Sequence, residues 1–194
     1  MTLQQPDTQL AKRFVWGGVL TVLTVASTLG LACGTPFAAL ATLAALFLPR
    51  RDAFVLIAVN WLANQAIGFG LLHYPLSWDC YRGGINLGIA ALLSTMAAML
   101  AQGALRNVAT AVTAIGSFAV AFVAYEGSLF LISPAGSGAD FAASVVLYIL
   151  YVNAVALVGL LLLQTAAAAL GFISPMTAFR FEAAAARDGA NDRP

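Results

Sequence analysis

The sequence contains very little charge: only 9% of its 194 residues are Asp, Glu, Lys or Arg, whereas 61% are hydrophobic. Soluble domains average roughly 25% charged and about 45–50% apolar residues. A soluble fold leaves about 30% of its unfolded-chain surface exposed at this size, and this chain has too few polar residues to cover that surface. The composition therefore predicts an integral membrane protein with the lipid bilayer as its solvent.

Histidine, cysteine and clustered basic residues are also scarce. One histidine, His73, excludes a multi-histidine metal site, and two cysteines, Cys33 and Cys80, exclude a zinc cluster of several thiolates. The nine Lys and Arg residues are too scattered to form a nucleic-acid surface. The chain has no Gly-x-x-x-x-Gly-Lys-Ser/Thr loop, so we do not expect it to hydrolyse ATP itself.

Long apolar runs, by contrast, are abundant. A membrane-spanning helix needs about 20 mostly apolar residues, although the second of the candidate runs has only 13. We therefore predict an all-α bundle of six transmembrane helices in residues 14–175, between a cytoplasmic segment 1–13 and a cytoplasmic tail 176–194. The six candidate spans are Phe14–Ala32, Pro36–Leu48, Ala53–Leu72, Gly84–Ala101, Val108–Ile132 and Phe141–Phe172.

The basic residues fix the predicted orientation, because Lys and Arg concentrate in cytoplasmic loops. With the N-terminus inside, only Arg82 lies outside. All the other basic residues then lie inside, namely Lys12, Arg13, Arg50, Arg51, Arg106, Arg180, Arg187 and Arg193. Six spans return the C-terminus to the inside, as its arginines require.

The second predicted outer loop, His73–Gly84, concentrates the unusual polar and aromatic residues. They are His73, Tyr74, Trp78, Asp79, Cys80, Tyr81 and Arg82. Trp and Tyr are common at membrane interfaces, so these aromatic residues suit a headgroup belt as well as a binding surface. His73 fits an interfacial polar residue better than a metal ligand.

Cys80 is the residue in this loop with the most distinctive chemistry. A predicted helix N-terminus and Arg82 both favour its thiolate form, whereas Asp79 opposes it. Thiolate is a soft ligand for transition metals and a nucleophile. Three interpretations remain open for this residue: a ligand or reactive thiol, an inert thiol, and a disulfide with Cys33.

Several polar residues within the predicted spans lie at depths from which they could converge beneath this loop. They are Glu126, Asn64, Asn86, Tyr148 and Tyr151, and hydrogen bonds between helices are the alternative explanation for them. A carboxylate in a span is costly unless it faces a cavity or a partner, which makes Glu126 a candidate binding residue. For the deeper Asn60 and Asn153 we expect bonds between helices, as for structural polar residues in membranes.

Six predicted spans with both termini inside, together with Trp78-Asp79-Cys80-Tyr81-Arg82-Gly83-Gly84, resemble the BtuM-type solitary S-components of energy-coupling-factor vitamin transporters. The resemblance covers about residues 12–175. It implies uptake of cobalamin (vitamin B12) or a related corrinoid across the bacterial cytoplasmic membrane, from an outward-facing site. It also implies that Cys80 ligates the cobalt from the lower face of a base-off corrinoid. The binding residues would be His73, Tyr74, Trp78, Asp79, Cys80, Tyr81, Arg82, Asn86, Glu126 and Tyr148.

The same resemblance implies partners: a shared transmembrane coupling protein and two ATPases. S-components usually dock through an Ala-x-x-x-Ala pattern on the first helix, where this chain has Ala26, Gly30 and Gly34 instead. Thiolate donation from below should also weaken the upper ligand of the cobalt. We therefore hypothesise that bound cyanocobalamin loses its cyanide, with Cys80 as the responsible residue.

Functions of other classes remain open on the sequence alone. A membrane thiol–disulfide enzyme would use Cys80 with Cys33 and would have no affinity for corrinoids. A structural or assembly subunit would use its small-residue helix faces and would tolerate replacement of Cys80. An S-component for another vitamin would use the same aromatic loop for a different flat heterocycle.

Overall fold

The computed structural model describes residues 15, 17–22, 35–105, 107–132 and 141–170. Five helices lie in these ranges, and residues 17–22 are also helical. No strand occurs among the described residues, so the predicted all-α class is confirmed. The helices are α1 (Phe37–Phe47), α2 (Arg50–Gly70), α3 (Trp78–Ala104), α4 (Thr110–Ile132) and α5 (Ala143–Ala169).

The four helices α2 to α5 are each long and apolar enough to cross a membrane. They contain 21, 27, 23 and 27 residues, or roughly 31–40 Å at 1.5 Å per residue, against a hydrocarbon thickness of about 30 Å. Large apolar side chains such as Leu62, Val123 and Leu131 are exposed along them. Four such helices agree with a protein embedded in the membrane.

The predicted count of six spans is not reached by the described residues. Helix α1 lies inside the predicted span Pro36–Leu48, but 11 residues extend only about 16 Å and do not cross the bilayer. Most of the predicted span Phe14–Ala32 lies outside the described residues, as do the segment 1–13 and the tail 176–194. The six-helix count and the positions of the termini stay predictions.

Helix α1 is the centre of the bundle and packs against each of α2, α3, α4 and α5. Every residue from Phe37 to Ala45 is buried. Five of these nine are alanines, and side chains this small allow the surrounding helices to approach closely on all sides. A helix that is apolar all round is stable only when it is enclosed in this way.

The first turn of α1 is held by a residue of another helix. Its N-cap, Pro36, forms no side-chain cap, and the backbone N–H of Ala39 donates instead to Asn153 Oδ1 of α5 at 3.2 Å. Asn153 Nδ2 in turn donates to the Ile149 carbonyl at 3.0 Å. The expected role of Asn153 in bonding between helices is thereby confirmed.

Asn60 also connects two segments, as its sequence position led us to expect. Its Nδ2 donates to Thr21 Oγ1 at 3.3 Å and to the Leu56 carbonyl at 2.9 Å. The first bond attaches the helical residues 17–22 to α2.

Helices α2 and α3 approach closely through two glycines of α3. Trp61 Nε1 donates to the Gly84 carbonyl at 2.8 Å, and its indole ring lies against Gly88. A Cβ atom at Gly88 would stand 2.6 Å from the ring, so no larger residue fits without displacing Trp61. Helix α3 is bonded on its other side to α4, where Ser94 Oγ donates to the Ala121 carbonyl at 2.8 Å.

Helix α3 begins at Trp78, earlier than the predicted start at Gly84, so the predicted outer loop His73–Gly84 is wrong in its second half. Ser77 caps the helix, and Asp79 in its first turn suits the positive end of the helix dipole. Gly84, where the span was predicted to begin, lies within the helix at the contact with α2. The loop between α2 and α3 is therefore residues 71–77.

We predict that Gly88→Ala destabilises the protein by about 1–3 kcal/mol, because the new methyl group overpacks the contact with Trp61. The measurement is thermal unfolding in detergent. Gly103→Ala, on the same helix but with open space around its Cβ position, is the matched control and should be neutral or slightly stabilising. Equal melting temperatures for the two variants would contradict the close approach of α2 and α3.

Candidate functional site

The chain reverses sharply between α2 and α3, and the reversal holds Tyr74 against α2. His73 adopts a positive φ of 55°, which few non-glycine residues do, and its Nδ1 lies 2.9 Å from the Leu71 carbonyl. The Tyr74 backbone N–H donates to the Gly68 carbonyl at 3.0 Å. The tyrosine ring covers Gly68 so closely that a Cβ there would stand 2.7 Å from it.

Three aromatic rings meet at this end of the bundle, which we name the Cys80 end. The rings of Phe69 and Tyr81 are stacked, with centroids 4.9 Å apart and planes 24° apart. Tyr74 meets Phe69 edge-on, at 6.2 Å and 79°. Both geometries are favourable for aromatic pairs, so this aromatic cluster joins α2, α3 and the loop.

Cys80 is the third residue of α3 and carries a free, half-buried thiol. Its backbone N–H donates to Ser77 Oγ at 3.4 Å, which places it in the capped first turn rather than in the loop before the helix, where it was predicted. At 3.6 residues per turn, Leu87, Ala91 and Ala98 lie within about 20° of Cys80 around the helix. Ala91 and Ala98 are fully buried, so Cys80 is the outermost residue of the face of α3 that points into the bundle. Cys33 lies outside the described residues.

Trp78 and Arg82 lie on the opposite face of α3. Each is about 160° from Cys80 around the helix, and Trp78 is 72% exposed. Arg82 forms an exposed ion pair with Asp79 at 3.1 Å. An exposed pair of this kind adds little stability, but it directs the Arg82 guanidinium towards Asp79.

The remaining predicted site residues are distributed around the bundle. Asn86 is half-buried on α3, about 9 Å further along the helix than Cys80. Glu126 has a buried Oε1 that accepts no hydrogen bond, and it lies about 140° around α4 from Ala121, away from α3. Tyr148 is 53% exposed, about 140° around α5 from the buried Asn153. The structure therefore joins Tyr74 and Tyr81 through Phe69, with Cys80 next to Tyr81 in the first turn of α3. Glu126 and Tyr148 stay predicted binding residues.

Two contributors to this region were missed by the sequence reasoning. Phe69 supplies the platform on which Tyr81 stacks, and Gln65 lies against Gly84, one turn of α3 beyond Cys80. Gln65 could have been found, because an amide in an apolar span needs a partner just as an asparagine does. Asn64, which was considered, donates through Nδ2 to Thr35 Oγ1 at 2.7 Å.

Among the residues that the structure describes, no group of three or more His, Cys, Asp or Glu side chains is placed to hold a metal ion. A free metal ion would therefore find only isolated donors in these ranges, of which Cys80 is the one thiol. No protein-family model matches the chain, and no curated protein or solved structure matches it either.

We predict that a water-soluble maleimide labels Cys80 rapidly in detergent solution in a Cys33→Ser background. The half-buried thiol lies at the end of its helix, where reagent can reach it. The matched control is Ser94→Cys in a Cys33→Ser, Cys80→Ala background, on nearly the same face of α3 but fully buried. It should react at least about tenfold more slowly, because labelling there requires local opening. Equal rates would show that Cys80 is not at an open end of the bundle.

Proposed function

We propose that this protein binds cobalamin or a related corrinoid at the Cys80 end, as a substrate-binding subunit for vitamin uptake. The observation that carries the proposal is the position of Cys80. Cys80 is the outermost residue on the inward face of α3, its thiol is half-buried, and the next residue, Tyr81, belongs to the aromatic cluster with Phe69 and Tyr74. A soft ligand next to flat apolar surfaces suits a large metal-containing ring.

A single thiolate is sufficient for such a ligand. The ring nitrogens of a corrinoid already hold the cobalt, so the protein needs to supply only one axial donor. Isolated donors in the described ranges are poor for a free ion but adequate for a metal that arrives chelated. Cys80 would take the lower axial position, and the nucleotide base that can occupy it would be displaced, giving the base-off form.

The proposed coordination has a chemical consequence for cyanocobalamin. Donation from the Cys80 thiolate weakens the bond between cobalt and the carbon of the upper cyanide. That bond breaks heterolytically: cyanide leaves with the electron pair and takes a proton from water, while cobalt stays Co(III). Water can fill the vacated position, so no oxidant or reductant is needed.

The membrane setting belongs to the same proposal. Six spans with both termini inside would place the Cys80 end on the outer face of the bacterial cytoplasmic membrane and Arg50 and Arg51 on the inner face, consistent with the distribution of basic residues. The chain has no ATPase loop, so energy for uptake would come from a coupling protein and two ATPases.

We predict that purified wild-type protein incubated with cyanocobalamin acquires a shifted visible absorption spectrum, and that Cys80→Ala does not. The shift would arise because sulfur replaces nitrogen as the lower ligand and cyanide is released. Released cyanide should be detectable in the same sample at up to one equivalent per protein.

Cys80→Ser is the matched control, because it keeps the size of the side chain and the first turn of α3 but removes the soft sulfur ligand. It should retain any binding due to the aromatic cluster without the sulfur-dependent spectrum. A wild-type protein that stays colourless after removal of free cyanocobalamin would refute the proposal. A reducible Cys33–Cys80 disulfide in that protein would then favour the thiol–disulfide enzyme.

A further inference from the structure

We propose that Gln65 selects ligands that present a carboxamide, rather than a carboxylate, beneath the Cys80 thiol. The inference rests on the proposed function, because it concerns the ligand held at Cys80. Gln65 was not among the predicted site residues, and the geometry of its side chain supports the proposal.

The position of Gln65 is fixed by its contact with Gly84 and by its hydrogen bond to Asn64. Its Oε1 lies directly against Gly84, where a Cβ atom would collide with it. Gly84 follows Cys80 by one turn of α3, and Phe69 follows Gln65 by one turn of α2. The amide therefore lies about 5 Å deeper than both the thiol and the stacked ring of Phe69.

The orientation of the amide is set by a chain of hydrogen bonds. Gln65 Nε2 donates to Asn64 Oδ1 at 3.3 Å, and Asn64 Nδ2 donates to Thr35 Oγ1 at 2.7 Å. Because Nε2 is the donor in this chain, Oε1 is left as the acceptor. No described residue donates to Gln65 Oε1, and the side chain is half-buried. A fixed acceptor without a donor is therefore available to a ligand at the Cys80 end.

An acceptor of this kind distinguishes a carboxamide from a carboxylate, because only the carboxamide has N–H groups to donate. A carboxamide N–H completes the hydrogen bond to Gln65 Oε1, whereas a carboxylate brings a second, charged acceptor to it. When the bound ring covers the site and excludes bulk water, such a mismatch would leave both groups unsatisfied. Corrinoids carry flexible carboxamide side chains around the ring edge. With the ring held above the Cys80 thiol, those side chains that hang from the ligated face would reach past the thiol towards Gln65.

The experiment measures dissociation constants for cyanocobalamin and for each of its ring-edge monocarboxylic acids. Wild-type protein should bind at least one of the acids roughly tenfold or more weakly than the amide. In Gln65→Leu the affinity for cyanocobalamin should fall about 2- to 10-fold, and the preference for the amide should disappear. Gln65→Met, which keeps the side-chain length, serves if the leucine variant does not fold.

Gly84→Ala provides an independent variant, because its methyl group displaces the Gln65 amide without removing it. As a single substitution, Gly84→Ala should abolish the preference for the amide. Added to Gln65→Leu, it should have no further effect on that preference. Gly83→Ala, beside it on α3 with open space around its Cβ position, is the matched control and should keep the preference.

The outcomes separate the two proposals. Wild-type protein that binds no cyanocobalamin would refute the proposed function, and the role of Gln65 with it. Wild-type protein that binds cyanocobalamin while Gln65→Leu keeps the same amide preference would refute the role of Gln65 and leave the function standing. A wild-type protein that binds cyanocobalamin and every monocarboxylic acid equally would also refute the role of Gln65 and leave the function standing.

Discussion

The hydrogen bond from the Ala39 N–H to Asn153 Oδ1 is the constraint on which the architecture depends, because it lets a helix begin in the middle of the bundle. The first turn of any helix leaves backbone N–H groups without partners, and hydrocarbon offers none. Most helices in membranes avoid this problem by starting at the interface. Helix α1 starts inside the bundle, and the amide of α5 supplies an acceptor that Pro36 does not. Its alanine-rich surface can then be enclosed by the four long helices.

Because α1 begins inside the bundle, it determines where a site can form. Helix α1 runs towards Arg50 and occupies the bundle axis on that side. Asn64 bonds to Thr35, just before α1, and α2 continues for about 9 Å beyond Asn64. Along that stretch the contacts described for α2 include three with α3 and the loop: Gln65 with Gly84, Phe69 with Tyr81, and Gly68 with Tyr74. The candidate site is therefore a property of the α2–α3 pair.

The sequence predicted the helical class, the membrane setting and three of the long helices closely, because apolar length is a strong and local signal. It also predicted bonds between helices for Asn60 and Asn153, since an amide in hydrocarbon has few alternatives. It misplaced the start of α3 at Gly84, because the polar and aromatic residues from Trp78 to Arg82 interrupt the apolar run although they are helical. Phe69 was missed because an aromatic residue in an apolar span carries no sign of the ring that will stack on it. Whether Glu126 and Tyr148 face Cys80 depends on rotation about helix axes, which sequence spacing across different helices does not specify.

The glycines of α3 connect the packing of the bundle to the chemistry of its Cys80 end. Gly88 admits the ring of Trp61, whose indole N–H holds the Gly84 carbonyl, and Gly84 in turn admits the amide of Gln65. The thiol of Cys80 lies one turn beyond that contact and Gln65 directly beneath it, so both positions follow from one rigid pair of helices. Side chains fixed on helices hold their geometry better than side chains on loops. A flat ligand bound through sulfur would meet an acceptor at a fixed depth, which is the arrangement that selectivity requires.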